Sequence, residues 1–389
     1  MKQIMTASLC LLALLGCGST TPTGGDAQSA LGSGIELANM DTSVRPQDDF
    51  FRYVNGTWLA TAEIPADRTN TGVFMDLRDA AREDVRVIIE ELAGRTDLVP
   101  GSDEQKVADL YNSFMDVGRL DRLGLSPLAA ELARIDAITD KDELPALFAH
   151  YAIAGAGAPF GLYIWVDAKD STRYVSYLNQ SGLGLPDRDY YFKDDARSVE
   201  LREKYRAHIE TMFELAGFAD PAGSAAMLLR LETGLADDHW TTVQNRDAEA
   251  TYNRYELREL EGLSESFSWA RYLEAAGLAG QPDLIVRQPS YIEGFDATFA
   301  ATSLEEWKTY LRWRLLDNFA SYLSSALDEE NFDFYGRVLA GQREQRPRWQ
   351  RGVDLVNGSL GEVVGKVYVA RHFPPEAKER MVALVSNIQ

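Results

Sequence analysis

Arg346-Pro347-Arg348-Trp349-Gln350-Arg351-Gly352-Val353 opens the stretch that decides the fold. Running on to Phe373, it sets Trp349, Val353, Val356, Leu360, Val364 and Val367 at steps of three and four, the spacing of one helical face. Pro374-Pro375 then breaks the run, because proline has no N–H to donate. A second helix is predicted from near Glu376, with Ala377, Met381, Leu384, Val385 and Ile388 on one side. That pattern is still running at Gln389, with no glycine, cap or polar tail, so the chain reads as one that continues. An apolar face of this kind requires a partner.

The same periodicity recurs upstream. Leu77, Ala81, Val85, Ile88 and Leu92 mark one helix, and Val107, Leu110, Tyr111 and Phe114 a second, with Asp103 at its positive end. Asp140 with Glu143 three residues on is a capping-box signature. Tyr205, Ile209, Met212 and Phe213 share a face within 199–216, and Gly217 stops that helix. Leu304, Trp307, Leu311, Leu315, Phe319, Tyr322 and Leu323 predict a rod of about six turns. One region departs from this. The runs 160–167 and 173–179 are rich in Tyr, Val, Ile and Trp and flank the polar Ala168-Lys169-Asp170-Ser171-Thr172, which reads as a β-hairpin; buried helix is the alternative. The expected fold is mainly α, with a small β-hairpin near 160–179.

The formal charge is 39 − 60 = −21, a surface that repels phosphate backbones, so nucleic acid is not an expected partner. Residues 1–17 read as a leader: Lys2, an apolar run from Ile4 to Leu15 too short to span a bilayer, then Leu14-Leu15-Gly16-Cys17. That tetrapeptide resembles a bacterial lipobox, which implies lipid attachment at Cys17, a membrane anchor, and a cell-envelope location, with the outer membrane favoured. An ordinary secretory leader is the alternative. Residues 18–40, rich in Gly, Ser, Thr and Ala, read as a flexible tether. With Cys10 in the leader and Cys17 acylated, no thiol remains for a disulfide.

His150, His208, His239 and His372 are too far apart in sequence for a helical zinc site, which needs two imidazoles one turn apart. Asp237-Asp238-His239 reads as an exposed helix end rather than a ligand set. Asp187-Arg188-Asp189 has the residue types of a glycosidase pair, but carboxylates two apart in a proline-initiated turn are expected to accept backbone N–H bonds or pair with the arginine. No G-x-S-x-G motif occurs. In Asn55-Gly56-Thr57-Trp58 the glycine suggests a tight turn and the tryptophan an apolar anchor.

Three signatures carry a resemblance: 49–58 (Asp49-Phe50-Phe51-Arg52-Tyr53-Val54-Asn55-Gly56-Thr57-Trp58), 181–191 (Ser181-Gly182-Leu183-Gly184-Leu185-Pro186-Asp187-Arg188-Asp189-Tyr190-Tyr191) and 346–373. Together they resemble the amino-terminal region of the neprilysin/endothelin-converting-enzyme family of zinc metallopeptidases, and the likeness covers 41–389. It implies a large multi-helix lid lobe of a two-lobed enzyme, substrate-restricting and without catalytic or metal residues of its own. Zinc would be held by an H-E-x-x-H motif in a carboxy-terminal catalytic domain that this chain lacks, and oligopeptides would be the substrates. The chain alone is therefore expected to be inactive. The resemblance also implies an arginine after Ile64-Pro65 that meets the peptide carboxylate; the matching residue here is Asn70, with Arg68 two positions earlier as a substitute. Arg343, Arg346 and Arg348 are expected to pair with acids across a domain seam, and Gly361 and Gly365 to permit close helix crossing. The alternative to a peptidase part is a non-enzymatic surface lipoprotein using the helical lobe as a peptide-binding or scaffold module.

Overall fold

The computed structural model describes residues 35–388, so the leader, Cys17 and most of the tether lie outside the described residues. The chain divides into two units, Met1–Glu63 and Ile64–Gln389.

In the first unit a 3₁₀ turn at Leu37–Asn39 precedes α1 (Phe50–Thr61). Asp49 caps α1 by accepting the Arg52 N–H at 2.9 Å. Gly56 lies in mid-helix, not in a turn, which corrects the reading from sequence. A Cβ at Gly56 would sit 2.5 Å from the Asp41 Cβ, so the glycine permits close approach of the preceding chain. Thr57 and Tyr53 fasten that chain: the Thr57 hydroxyl donates to the Met40 carbonyl at 2.8 Å, and the Tyr53 carbonyl accepts from the Asp41 N–H at 2.9 Å.

The second unit is helical around two large apolar cores, with a small third cluster of Val175, Tyr177 and Ile285 on the sheet. It begins with α2 (Val73–Ala93), α3 (Asp103–Met115), α4 (Val117–Leu123), α5 (Ala129–Ala137) and α6 (Leu144–Ala154). The Asp140–Glu143 capping box forms ahead of α6. Strands β1 (Phe160–Asp167) and β2 (Asp170–Gln180) follow, then α7 (Asp189–Phe192), α8 (Ala196–Ala216) and α9 (Pro221–Asp238). Next come β3 (Asn253–Tyr255), α10 (Leu257–Glu261), α11 (Trp269–Ala275), β4 (Leu284–Val286), α12 (Pro289–Ala301), α13 (Leu304–Phe319) and α14 (Ser325–Phe332). A π-helical stretch at Asp333–Leu339 leads to α15 (Arg348–His372) and α16 (Pro375–Ser386).

The smaller core joins α2, α3 and α15 through Val85, Ile88, Ile89, Val107, Tyr111, Val353, Val356 and Val364. All but Ile89 are the periodic residues of three helices predicted separately, and each apolar stripe finds its partner in the other two. The larger core is aromatic at its centre: Phe160 packs edge-on to Phe295 at 4.5 Å and to Trp269 at 4.7 Å between ring centroids.

Four expectations need correction. The hairpin turns at Ala168–Lys169, and the second strand starts at Asp170, because the Asp167 and Asp170 carboxylates accept the Lys169 and Thr172 N–H groups and tighten the turn. The hairpin also belongs to a four-stranded sheet of order β1-β2-β4-β3, in which β2 pairs antiparallel with β1 and parallel with β4. The rod is sixteen residues, α13, and then tightens into a 3₁₀ turn at Ala320–Tyr322. Gly361 and Gly365 face open space; Gly352 is the close-packed glycine, where a Cβ would lie 2.9 Å from the Tyr111 ring.

Candidate functional site

The signature 181–191 is a loop suspended over a buried polar centre. Its Gly184 N–H donates to Glu232 Oε2 at 3.3 Å, and Tyr191, at its end, donates its hydroxyl to the same oxygen at 2.7 Å. Tyr205 on α8 donates to Glu232 at 2.9 Å. A Cβ at Gly184 would run into the Tyr205 hydroxyl, so only glycine fits there. From α13, Tyr310 donates to the Gly182 carbonyl at 2.9 Å and Arg314 to the Leu183 carbonyl at 3.3 Å. Arg314 also lies 3.6 Å from Asp317, which accepts the Tyr335 hydroxyl at 3.2 Å from the π-helical stretch.

Glu232 is fully buried. Burial pushes its carboxyl above the usual carboxylate range, opposed by Arg314 and the two tyrosines. Burial raises Asp317 likewise, against Arg314 and His208. Every acceptor here has a donor on a different element, so the centre is an organiser that pins the loop to α8, α9 and α13. It offers no nucleophile beside a free base. Reading by motif missed Glu232 and Arg314. Their signal was positional: Glu232 falls on the stripe of Leu228 and Leu235, and Arg314 on that of Leu311, both facing the core.

Asp187 accepts the Asp189 N–H at 2.8 Å, as expected for a turn. Arg188 pairs with neither carboxylate; it donates to the Ala236 carbonyl at 3.3 Å, at the end of α9. There His239 is buried rather than exposed, a correction, because its Nε2 meets the Ser181 carbonyl at 3.1 Å and its ring packs edge-on to Tyr291. Burial pulls His239 down to about 4.

Arg68 and Asn70 lie in the loop before α2. Arg68 is mostly buried and bonded to Asp79 at 2.8 Å and to Asp67 at 3.4 Å; Asn70 is exposed. The loop is pinned by the Ala66 carbonyl, which accepts the Arg343 and Glu344 N–H groups, each at 3.0 Å. Ion pairs run on from Asp79 to Arg82, then to Asp354 and Arg346. Arg348 and Arg351 converge on Asp328, and Arg348 also caps the Phe114 carbonyl at 2.7 Å. Arg346, Arg348 and Arg351 thus pair with acids inside the second unit rather than across a domain seam, whereas Arg343 pairs with no acid among the described residues and donates to the Ile64 carbonyl at 3.4 Å.

The histidines are dispersed. His150 pairs with Glu131 at 2.9 Å, His208 with Glu330 at 2.9 Å, and His372 lies 3.5 Å from Asp84. Among the described residues no group of three or more His, Cys, Asp or Glu is placed to hold a metal. The residues present therefore do not fit a zinc site, and no chemical step is assigned to zinc on them.

The profile for the amino-terminal part of peptidase family M13 matches residues 46–389. The chain belongs to peptidase family M13. Family M13 relatives include mouse membrane metallo-endopeptidase-like 1, 27% identical over 385 residues (91% of this chain, 49% of the relative), and human endothelin-converting enzyme 1, 25% identical over 369 residues (91% and 47%). The fold superposes on the Mycobacterium tuberculosis zinc metalloprotease Zmp1, solved with an inhibitor, at a TM-score of 0.85 and 42% identity, covering 92% of this chain and 54% of Zmp1. The fold is shared also with PepO from Lactobacillus rhamnosis (TM-score 0.74, 22% identity, 89% and 54%). The chain spans about half the length of these relatives. The mainly helical fold expected from periodicity is the helical part of M13 peptidases.

Proposed function

We propose that this chain is the non-catalytic, substrate-restricting lobe of an M13 zinc metallopeptidase acting on short peptides, and that it works by covering a zinc-bearing part supplied by other residues. One observation carries this. Phe373, then Met381, Val382, Leu384 and Val385 on α16, and Ile388 just past its end are exposed, and α16 buries none of its residues. Burying such side chains contributes about 1.5–3 kcal/mol each, enough to hold two lobes together. Asn70, through its exposed amide, and Arg68, on exchanging Asp79 for a ligand, are the positions proposed to meet the peptide's carboxylate end. Attachment to a membrane through Cys17 belongs to the same reading; no helix among the described residues is long and apolar enough to cross a membrane.

The test is association with the remaining, carboxy-terminal part of Zmp1, followed by light scattering. The chain is expected to form a one-to-one complex, and the variant Met381→Asp/Leu384→Asp to lose it while melting unchanged. A chain that stays monomeric with that partner, or a double variant that still associates, contradicts the proposal.

A further inference from the structure

The face of the sheet formed by alternate residues of β1 and β2 carries Tyr163, Trp165 and Tyr177, and Tyr163 stacks on Tyr177 at 5.1 Å with an interplanar angle of 4°. With Asn245, Arg246 and Arg287 these residues line an open groove of about 560 Å³. Trp165 is 66% exposed, an unusual position for an indole that contributes nothing to the core.

The polar groups of the groove divide into two sets. Tyr252 donates its hydroxyl to Asp167 at 2.7 Å, Thr251 donates to the Asp247 carbonyl at 2.7 Å, and Asn245 accepts from Gln288 at 2.7 Å while donating to the Trp240 carbonyl. Those are satisfied internally. The Arg246 and Arg287 guanidiniums, in contrast, have no carboxylate or carbonyl partner among the described residues. On a chain of formal charge −21, two unclaimed guanidiniums beside one aromatic wall select an anion. β1 is also the outer strand of the sheet, and from Phe160 to Val166 it carries no charge and no proline, the devices that usually protect an edge. An outer strand can pair with an extended main chain, which a saccharide does not have.

We propose that this groove binds an acidic peptide segment in extended form, its carboxylates on Arg246 and Arg287 and its apolar side chains on Trp165 and Tyr163. Binding here needs no metal-bearing lobe, so the 389-residue chain suffices for the test, and failure at this groove leaves the zinc-peptidase reading untouched. The probe is a capped octapeptide of alternating Asp and Val, titrated calorimetrically, beside its Asn-for-Asp analogue and trigalacturonic acid. The acidic peptide is expected to bind, to weaken roughly tenfold or more in Arg246→Ala/Arg287→Ala and in 0.5 M salt, as removal or screening of a charge-assisted hydrogen bond requires, and to weaken also in Trp165→Ala. The Asn analogue is expected to bind at least tenfold more weakly. Unchanged melting of the arginine variant shows that the effect is local. The proposal is overturned if the acidic peptide does not bind, if the folded arginine variant binds it equally well, or if trigalacturonic acid binds as tightly with the same dependence on the two arginines.

Discussion

Glu232 sits where a leucine would be expected, on the core face of α9, and three donors from separate elements converge on it. Glu232→Ala leaves two buried tyrosine hydroxyls and the Gly184 N–H without an acceptor and is expected to cost about 3–5 kcal/mol in urea unfolding. Glu232→Gln keeps an acceptor and should cost much less. Its carboxyl is raised by burial, so the folded state holds the proton better than the unfolded state does; this group favours folding at low pH, and its contribution is lost as pH rises through the folded value. His239 has the opposite sign. Held neutral in the fold and pulled down to about 4, it lends stability above its ordinary value of 6.5, which is lost as pH falls from there through about 4. His239→Gln is expected to flatten the rise of stability with pH over that window, measured by unfolding at a series of pH values. Equal slopes in both proteins would show that His239 does not set this pH dependence. These residues were not legible as a centre from sequence, since Glu232, Arg314 and Tyr205 come from three helices and only the folded chain brings them under one loop.

At the scale of elements, periodicity was a sound guide wherever an apolar stripe was long. α2, α3, α8 and α15 lie where their spacing places them, and the capping box ahead of α6 forms from the two residues that announce it. Three-residue strands such as β4, Leu284–Val286, carry too few residues for any period, and their pairing depends on β2, over a hundred residues away. Leu77 shows the limit of a stripe: it continues the α2 pattern yet is 61% exposed, because α3 and α15 reach only the later turns. The three-helix core gives a direct expectation. Ile88→Ala, at a site 1% exposed, should cost about 2–5 kcal/mol, whereas Leu77→Ala should change unfolding by less than about 0.5 kcal/mol. Similar costs at both positions would mean that the exposed first turns of α2 are covered in solution.

For the whole molecule, membership of family M13 follows from 344 matched residues, 46–389, and from a fold shared with Zmp1. The role proposed within that family, the substrate-restricting lobe, rests on the exposed apolar side chains of α16; among the described residues the histidines sit in separate environments. The most direct measurement is hydrolysis of a quenched fluorescent peptide by the purified 389-residue chain with equimolar zinc, with and without chelator, beside its zinc content after dialysis. A non-catalytic lobe predicts no turnover and no retained equivalent of zinc. Turnover that chelator abolishes and zinc restores would contradict it.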